Sequence, residues 1–188
     1  MGFSHAYGLA EDKERAIQTI KQAYKMGYNF FDTAECYTGE NTDGTISYNE
    51  ELVGEALKEV REQVVIATKF GVEHKGDHLE LDSSPEKIYA SIEGSLKKLQ
   101  TDYIDLYYQH RIDPKVEPEV VAGVMKELIT AGKIKAWGIS ETTEEYLRRA
   151  HAVCPVTAIQ NRYSMMARWY EDLFVVCKEL GITYVAFS

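Results

Sequence analysis

The sequence predicts an α/β fold with a parallel sheet, and three observations carry that expectation. Six helix-strand units follow one another in strict alternation through 188 residues, with no break in composition that would mark a domain boundary. The run Val64 to Thr68 (VVIAT) is unbroken and rich in β-branched residues, as a strand covered on both faces should be. A polar residue stands at the end of every strand. Such alternation specifies right-handed crossovers and leaves two architectures, a doubly wound open sheet or part of a closed barrel. A doubly wound nucleotide enzyme would carry G-x-G-x-x-G after its first strand; no such loop occurs, which favours the barrel. A complete eight-fold barrel needs about 250 residues, so 188 stand against a whole one, and a single domain spanning residues 1–188 is expected.

The elements follow in order. Asp12 to Met26 places Ala16, Ile17, Ile20, Ala23 and Tyr24 at helical spacing, with Gly27 as the stop. Tyr28 to Phe31 is a short apolar strand ending at Asp32. A polar, glycine-rich stretch, Thr38 to Thr45, reads as a loop. Ser47-Tyr48-Asn49-Glu50 has the form of a capping box ahead of Leu52, Val53, Ala56, Leu57 and Val60. The strand Val64 to Thr68 ends at Lys69, and Phe70 to Ser83 reads as a second loop. Ser84 and Pro85 open a helix carrying Ile88, Ile92, Leu96 and Leu99. The strand Tyr103 to Gln109 ends at His110. Pro118 opens a helix closed by Gly132, and the strand Ile134 to Ile139 ends at Ser140. Thr143 to Ala152 is a shorter helix leading to Val156 through Gln160. Trp169 to Leu180 is the last helix, stopped by Gly181, before the strand Ile182 to Phe187 and Ser188.

Composition narrows the classes of function. The chain is 45% hydrophobic and 27% charged, which fits an ordinary globular protein and excludes disorder. Thirty acidic against 21 basic residues give a net charge of −9, scattered rather than clustered, which argues against nucleic acid or an anionic membrane as partner. No stretch approaches the roughly 20 apolar residues of a membrane helix, and the start MGFSHAYG lacks a signal-peptide pattern, so a cytoplasmic protein is expected. Cys36, Cys154 and Cys177 are widely spaced and fit reduced thiols. His74 and His78 lie in the polar segment EHKGDH with no fixed acidic partner, so no metal site is expected.

In parallel barrels the chemistry lies at the carboxyl ends of the strands. Those positions hold Asp32, Lys69, His110, Ser140, Gln160 and Ser188, and Tyr37 reaches the same space from the loop after Asp32. Taken singly, each has a plainer reading. Asp32 could be a turn former or the partner of Lys69, Lys69 a solvated lysine, His110 a satisfied histidine, and Tyr37 one of 13 tyrosines. Their equivalent places in the repeat favour reading them together.

The stretches FFDTAECY (Phe30 to Tyr37), VIATKFG (Val65 to Gly71), SLKKLQTDYIDLYYQHRID (Ser95 to Asp113), GKIKAWGIS (Gly132 to Ser140) and AIQNRYS (Ala158 to Ser164) resemble the aldo-keto reductases, in order and along essentially the whole chain. The resemblance implies a TIM-type (β/α)8 barrel, here incomplete, with the first and eighth strands absent. It implies a catalytic set of Asp32, Tyr37, Lys69 and His110. It also implies an NADP(H) cofactor, with NAD(H) a second candidate, whose carboxamide meets Ser140 and Gln160, whose ring stacks on Phe187 and whose pyrophosphate begins at Ser188. Glu141 departs from the pattern, because the family commonly has asparagine there.

Such a set suits carbonyl reduction. Hydride addition leaves an alkoxide, so a proton donor must stand within reach of the carbonyl oxygen. Tyr37 is the expected acid. A free phenol has a pKa of about 10, which a neighbouring Lys69 ammonium, held by Asp32, is expected to lower. His110 would orient the carbonyl by donating a hydrogen bond. The expected partner is a small-molecule carbonyl compound, alongside a homo-oligomer formed through the exposed barrel edges, Tyr28 to Phe31 and Ile182 to Phe187. Two alternatives stand beside the reductase: a Schiff-base aldolase using Lys69, and a non-catalytic barrel fragment acting through oligomerisation or partner binding.

Overall fold

Six parallel strands form one curled sheet in the computed structural model, which describes residues 1–6, 8–76 and 78–187. The strands are β1 (Phe30–Asp32), β4 (Val65–Phe70), β7 (Ile104–Gln109), β8 (Ile134–Ser140), β9 (Ala158–Arg162) and β10 (Thr183–Phe187), paired in that order. The register sets Asp32 against Ala67, Lys69 against Tyr108, Gln109 against Ile139 and Ser140 against Gln160. Helices α1 (Lys13–Lys25), α2 (Asn49–Leu57), α3 (Pro85–Leu99), α4 (Pro118–Thr130), α5 (Glu144–Val153) and α6 (Leu173–Leu180) connect them. The result is a curled half-barrel matching an incomplete (β/α)8 barrel, as expected. Among the described residues β1 and β10 each pair on one side only, and Phe30 on β1 is 47% exposed.

The period of two along each strand decides what faces inward. Ile66, Tyr107, Trp137 and Ile139 point outward into the main core, where they meet Ile17, Leu57, Ile92, Val121 and Leu147 from the helices. Ala67, Leu106, Tyr108 and Ala158 point inward and form a second, smaller cluster. Gly138 stands on that inner face because a Cβ there would lie 2.4 Å from the Tyr108 ring and 2.5 Å from the Ala158 carbonyl oxygen. Lys69, His110, Ser140 and Gln160 share the inward parity, each two residues beyond Ala67, Tyr108, Gly138 and Ala158. The fold therefore aims them into one mouth.

Local signals hold where nothing competes with them. Asp12 caps α1 by accepting from Arg15 N, Ser84 caps α3 by accepting from Lys87 N, and Gly181 ends α6 in the left-handed conformation. The capping box at Ser47 to Glu50 does not form. Tyr48 is the N-cap, with no side-chain cap hydrogen bond. Asn49 N instead donates to the Tyr37 carbonyl, and Glu50, 1% exposed, accepts from Thr68 Oγ1 at 2.7 Å. Tertiary partners for these polar groups outcompete the local cap.

Three further expectations change. The two segments read as loops carry β-hairpins, β2 (Thr38–Glu40) with β3 (Ile46–Tyr48) and β5 (Val72–Lys75) with β6 (His78–Leu81). Helix α2 stops at Leu57, and a 3-10 segment, Lys58–Gln63, follows with Val60 at φ −121°. Helix α6 begins at Leu173 rather than Trp169, and Trp169 is 67% exposed. Among the described residues no helix is long and apolar enough to cross a membrane.

Candidate active site

At the carboxyl end of the sheet lies a cavity of about 580 Å³, lined by Asp32, Tyr37, His110, Ser140, Gln160 and Phe187 among others. Six expected site residues thus meet at one place. Lys69 lies beneath it, 1% exposed, and does not line the cavity. Ser188 lies outside the described residues.

Tyr37 is placed by a rigid connection. Beyond β1 the chain stays bonded to β4, with Thr33 N donating to Ala67 O at 2.9 Å and Glu35 N to Lys69 O at 3.1 Å. Gly71 N donates to Glu35 Oε1 at 2.8 Å. A turn then closes with Tyr37 N on Ala34 O, and Tyr37's carbonyl accepts from Asn49 N. Asn49 is itself held by Thr33 Oγ1, which donates to its Oδ1 at 2.8 Å. His110 extends β7 by one residue, its N–H donating to Phe70 O at 3.0 Å. The two rings meet edge to face, 5.7 Å between centroids at 80°.

Below them runs a chain of charged hydrogen bonds. Lys69 Nζ donates to Asp32 Oδ1 and to the Thr33 carbonyl, the latter at 2.7 Å. Gln160 Nε2 donates to Asp32 Oδ2 at 2.9 Å, tying β9 to β1 across 128 residues of sequence. Both Asp32 oxygens are engaged. Burial lowers the Lys69 pKa from its ordinary value, and Asp32 works against that shift.

The Tyr37 phenol does not follow the expectation of a lowered pKa. Burial pushes it up, the Asp32 charge adds to that, and Arg111 opposes. The Lys69 ammonium stands 5.2 Å from the Tyr37 ring centroid with its hydrogen bonds spent on Asp32 and Thr33, so it acts largely as the neutralised half of a pair. Tyr37 is accordingly a phenol, not a phenolate. His110 shifts the other way: burial first, then the Lys69 and Arg111 charges, depress it to about 2. Its imidazole is neutral at any ordinary pH.

Ser140, 1% exposed, donates through Oγ to Gln160 O at 2.9 Å and accepts from Arg111 Nη1 at 3.2 Å. Glu141, at the departure from the family pattern, sits at φ +56° and accepts from Arg162 N and Tyr170 Oη. That carboxylate is taken up by the segment leading into α6.

Four lining residues with titratable side chains escaped sequence reasoning: His5, Cys36, His74 and Arg111. His5 stacks on Tyr37 at 5.7 Å and its Nδ1 donates to Thr38 O at 3.0 Å, and His74 lies 4.7 Å from His5. No local signal marks those two, since the N-terminal segment and the β5–β6 hairpin reach the mouth only in three dimensions. Cys36 and Arg111 had a signal in plain view, as chain neighbours of Tyr37 and His110. Among the described residues Arg111 forms no ion pair; its Nη1 donates to His110 O and Ser140 Oγ.

The chain is similar to known proteins along its whole length. The sequence profile described as "Aldo/keto reductase family" matches residues 1–188. A protein named "Probable aldo-keto reductase 1" from Glycine max is 43% identical over 191 residues, which cover 100% of this chain and 53% of that one. Among solved structures, the holo form of an aldo-keto reductase from Bacillus halodurans superposes with a TM-score of 0.82 at 29% identity, covering 95% of this chain and 58% of its own. A glycerol dehydrogenase from Gluconobacter oxydans gives 0.83 at 28%, covering 94% and 54%. An aldo/keto reductase from Klebsiella pneumoniae in complex with NADP and acetate gives 0.75 at 26%, covering 93% and 58%. The chain spans about half the length of these relatives. With the profile matching from end to end and the half-barrel superposing on these enzymes, the chain belongs to the Aldo/keto reductase family.

Proposed function

We propose that this chain carries the proton-transfer side of an NADP(H)-dependent reductase that converts aldehydes and ketones to alcohols, with Tyr37 as the proton donor. One observation carries the reading: a phenol held in its protonated form and a neutral imidazole, 5.7 Å apart, face the same cavity above a buried Lys69 paired with Asp32. A cavity of about 580 Å³ is within the range of small-molecule sites.

The residues present fit the nicotinamide end of such a cofactor. Gln160 has given its N–H to Asp32, which leaves its Oε1 free to accept from a carboxamide. Ser140 keeps an acceptor lone pair, and Phe187 supplies an aromatic wall. When bound, the nicotinamide would supply hydride to the carbonyl carbon. Solved relatives from Klebsiella pneumoniae carrying NADP and NADPH support the choice of cofactor.

The chain's own residues do the remaining work. His110 donates one hydrogen bond to the carbonyl oxygen and orients it. Tyr37 gives that oxygen a proton as charge develops there. Asp32 fixes Lys69 beneath the phenol, and the phenolate left after transfer meets the Arg111 charge, which favours it. Gln160 holds Asp32 in register, which ties the acid to the cofactor wall. An aldolase built on Lys69 is disfavoured, because a Schiff-base lysine must reach its substrate and this one is buried below the cavity with two oxygens on its ammonium.

Titration with NADPH, followed by fluorescence, and NADPH oxidation with a reactive aldehyde such as 4-nitrobenzaldehyde test the reading. Saturable binding with aldehyde-dependent oxidation is expected. No binding at high micromolar NADPH would overturn it in favour of a non-catalytic fragment, and a borohydride-trapped adduct on Lys69 would overturn it in favour of the aldolase.

A further inference from the structure

Cys36 has no place in the chemistry above, yet its Sγ lies 3.4 Å from His110 Nδ1, across 74 residues of sequence. Both side chains are buried, each 8% exposed. Among the described residues neither atom has another hydrogen-bond partner. We propose that Cys36 is a positioning residue: its thiol donates to Nδ1 of His110 and fixes the imidazole as the tautomer that carries its proton on Nε2. The role of that proton rests on the reductase reading, and the tautomer itself does not.

The direction of the hydrogen bond follows from where the protons are. Burial pushes the Cys36 thiol up to about 12, so the sulfur keeps its hydrogen. The imidazole is neutral, held so by burial and by the Lys69, Arg111, His74 and His5 groups that face it. A neutral imidazole offers one N–H and one bare nitrogen. With the proton on Nδ1, that N–H would meet sulfur, a weak acceptor, and the thiol hydrogen would have no acceptor at all. The bare Nε2 would then face a carbonyl oxygen, lone pair against lone pair. With the thiol donating to Nδ1, the sulfur hydrogen is satisfied and Nε2–H remains as the ring's donor on the cavity wall.

The fold gives a reason for a cysteine at this position. The turn closed by Tyr37 N on Ala34 O carries Cys36 and Tyr37 side by side, so the group that sets the imidazole and the group that delivers the proton move together. An S–H donor is weak, so the bias it supplies is modest. It needs to be no larger than that, because it selects between two tautomers of a ring already packed in place.

Long-range 1H–15N correlation NMR on the 15N-histidine-labelled chain reads the tautomer directly, with H110Q identifying the His110 signals among five histidines. Wild type is expected to show a bare Nδ1 and a protonated Nε2. C36S, whose hydroxyl also donates, keeps that pattern; C36A gives a mixture in which Nδ1–H is populated. A wild-type ring protonated on Nδ1 overturns the proposal, as does a C36A ring that keeps the wild-type tautomer. Wild type decides the first point without any change at Cys36, so a C36A chain that fails to fold does not shield the idea. In kinetics, C36A lowers kcat/KM for an aldehyde by about tenfold and C36S restores most of it, the size of loss expected when a partner orienting a functional imidazole is removed. If the chain reduces no aldehyde, the proposed function fails while the NMR result still judges the tautomer.

Discussion

The two ends of the parallel strands each hold a basic side chain paired with an aspartate, and the surroundings make them different devices. At the amino end, Arg61 Nη2 meets Asp105 Oδ2 at 2.8 Å, with side-chain exposures of 11% and 12%. The rest of the guanidinium is spent on Thr101 Oγ1 and on the carbonyls of Val64 and Tyr103. Burial works against the Asp105 carboxylate, but hydrogen bonds from Ile66 N, Lys135 and Arg61 hold its pKa below the usual range. Every group finds a protein partner, and the end is closed. At the carboxyl end, Lys69 is buried deeper, yet its partner Asp32 remains 29% exposed on a cavity. The lesson is that a buried ion pair stitches a barrel together where the protein satisfies both halves, and serves chemistry where one half opens on a space a ligand can enter.

The largest expected contrast is in rate. Y37F should lower aldehyde reduction by about 10²–10⁴-fold while leaving the urea midpoint almost unmoved, because among the described residues the hydroxyl has no hydrogen-bond partner. A Y37F chain with near wild-type activity would remove Tyr37 from the chemistry.

Stability should show the reverse. Replacing Arg61 by methionine takes the guanidinium from the Val64 and Tyr103 carbonyls and from Asp105, which keeps only Ile66 N and Lys135, and should cost about 2–3 kcal/mol. Replacing Lys69 by methionine leaves Asp32 with access to water and with Gln160, so about 1–2 kcal/mol is expected. Urea unfolding of the two variants checks the order, and equal losses would erase the distinction between the ends.

The carboxyl end should also make the protein sensitive to acid. The His110 pKa, about 2 in the folded chain, lies below an unfolded value of about 6.5, so below 6.5 the unfolded state binds the proton more readily. Stability from this residue is intact above pH 6.5. It falls by up to about 1.4 kcal/mol per unit as pH drops through the window toward 2. Comparing H110Q with wild type at pH 7 and pH 4.5 isolates the effect, and a pH dependence unchanged in H110Q would refute it.

A smaller effect is expected at Glu141, held at φ +56° beside Ser140. E141A and E141G both lose the contacts to Arg162 N and Tyr170 Oη, so the difference between them reports the backbone alone. The glycine variant should be the more stable by about 1 kcal/mol, read by thermal unfolding.

Periodicity and strand-end position make the alternating α/β architecture and most of the candidate site legible in the sequence. Inward parity is a property of alternation along a strand, so a polar residue at a strand's carboxyl end points at the mouth when it is in step with the inward-facing residues before it; Lys69, His110, Ser140 and Gln160 follow from that rule, whereas Gln109, out of step, bonds to Ser83 and Tyr146 instead. The role of Lys69 as a buried element, the raised rather than lowered Tyr37 phenol, the failed capping box at Ser47 to Glu50 and the two hairpins do not. Each depends on partners far along the chain. Desolvation of Tyr37 comes from packing, Glu50 turns to Thr68 because the sheet brings it within 2.7 Å, and the Cys36–His110 contact joins residues 74 apart. Local sequence dictates which backbone conformations are cheap and which side chains alternate. Burial, charge neighbours and the direction of a proton are set by whatever the folded chain brings close, and no spacing along the sequence encodes them.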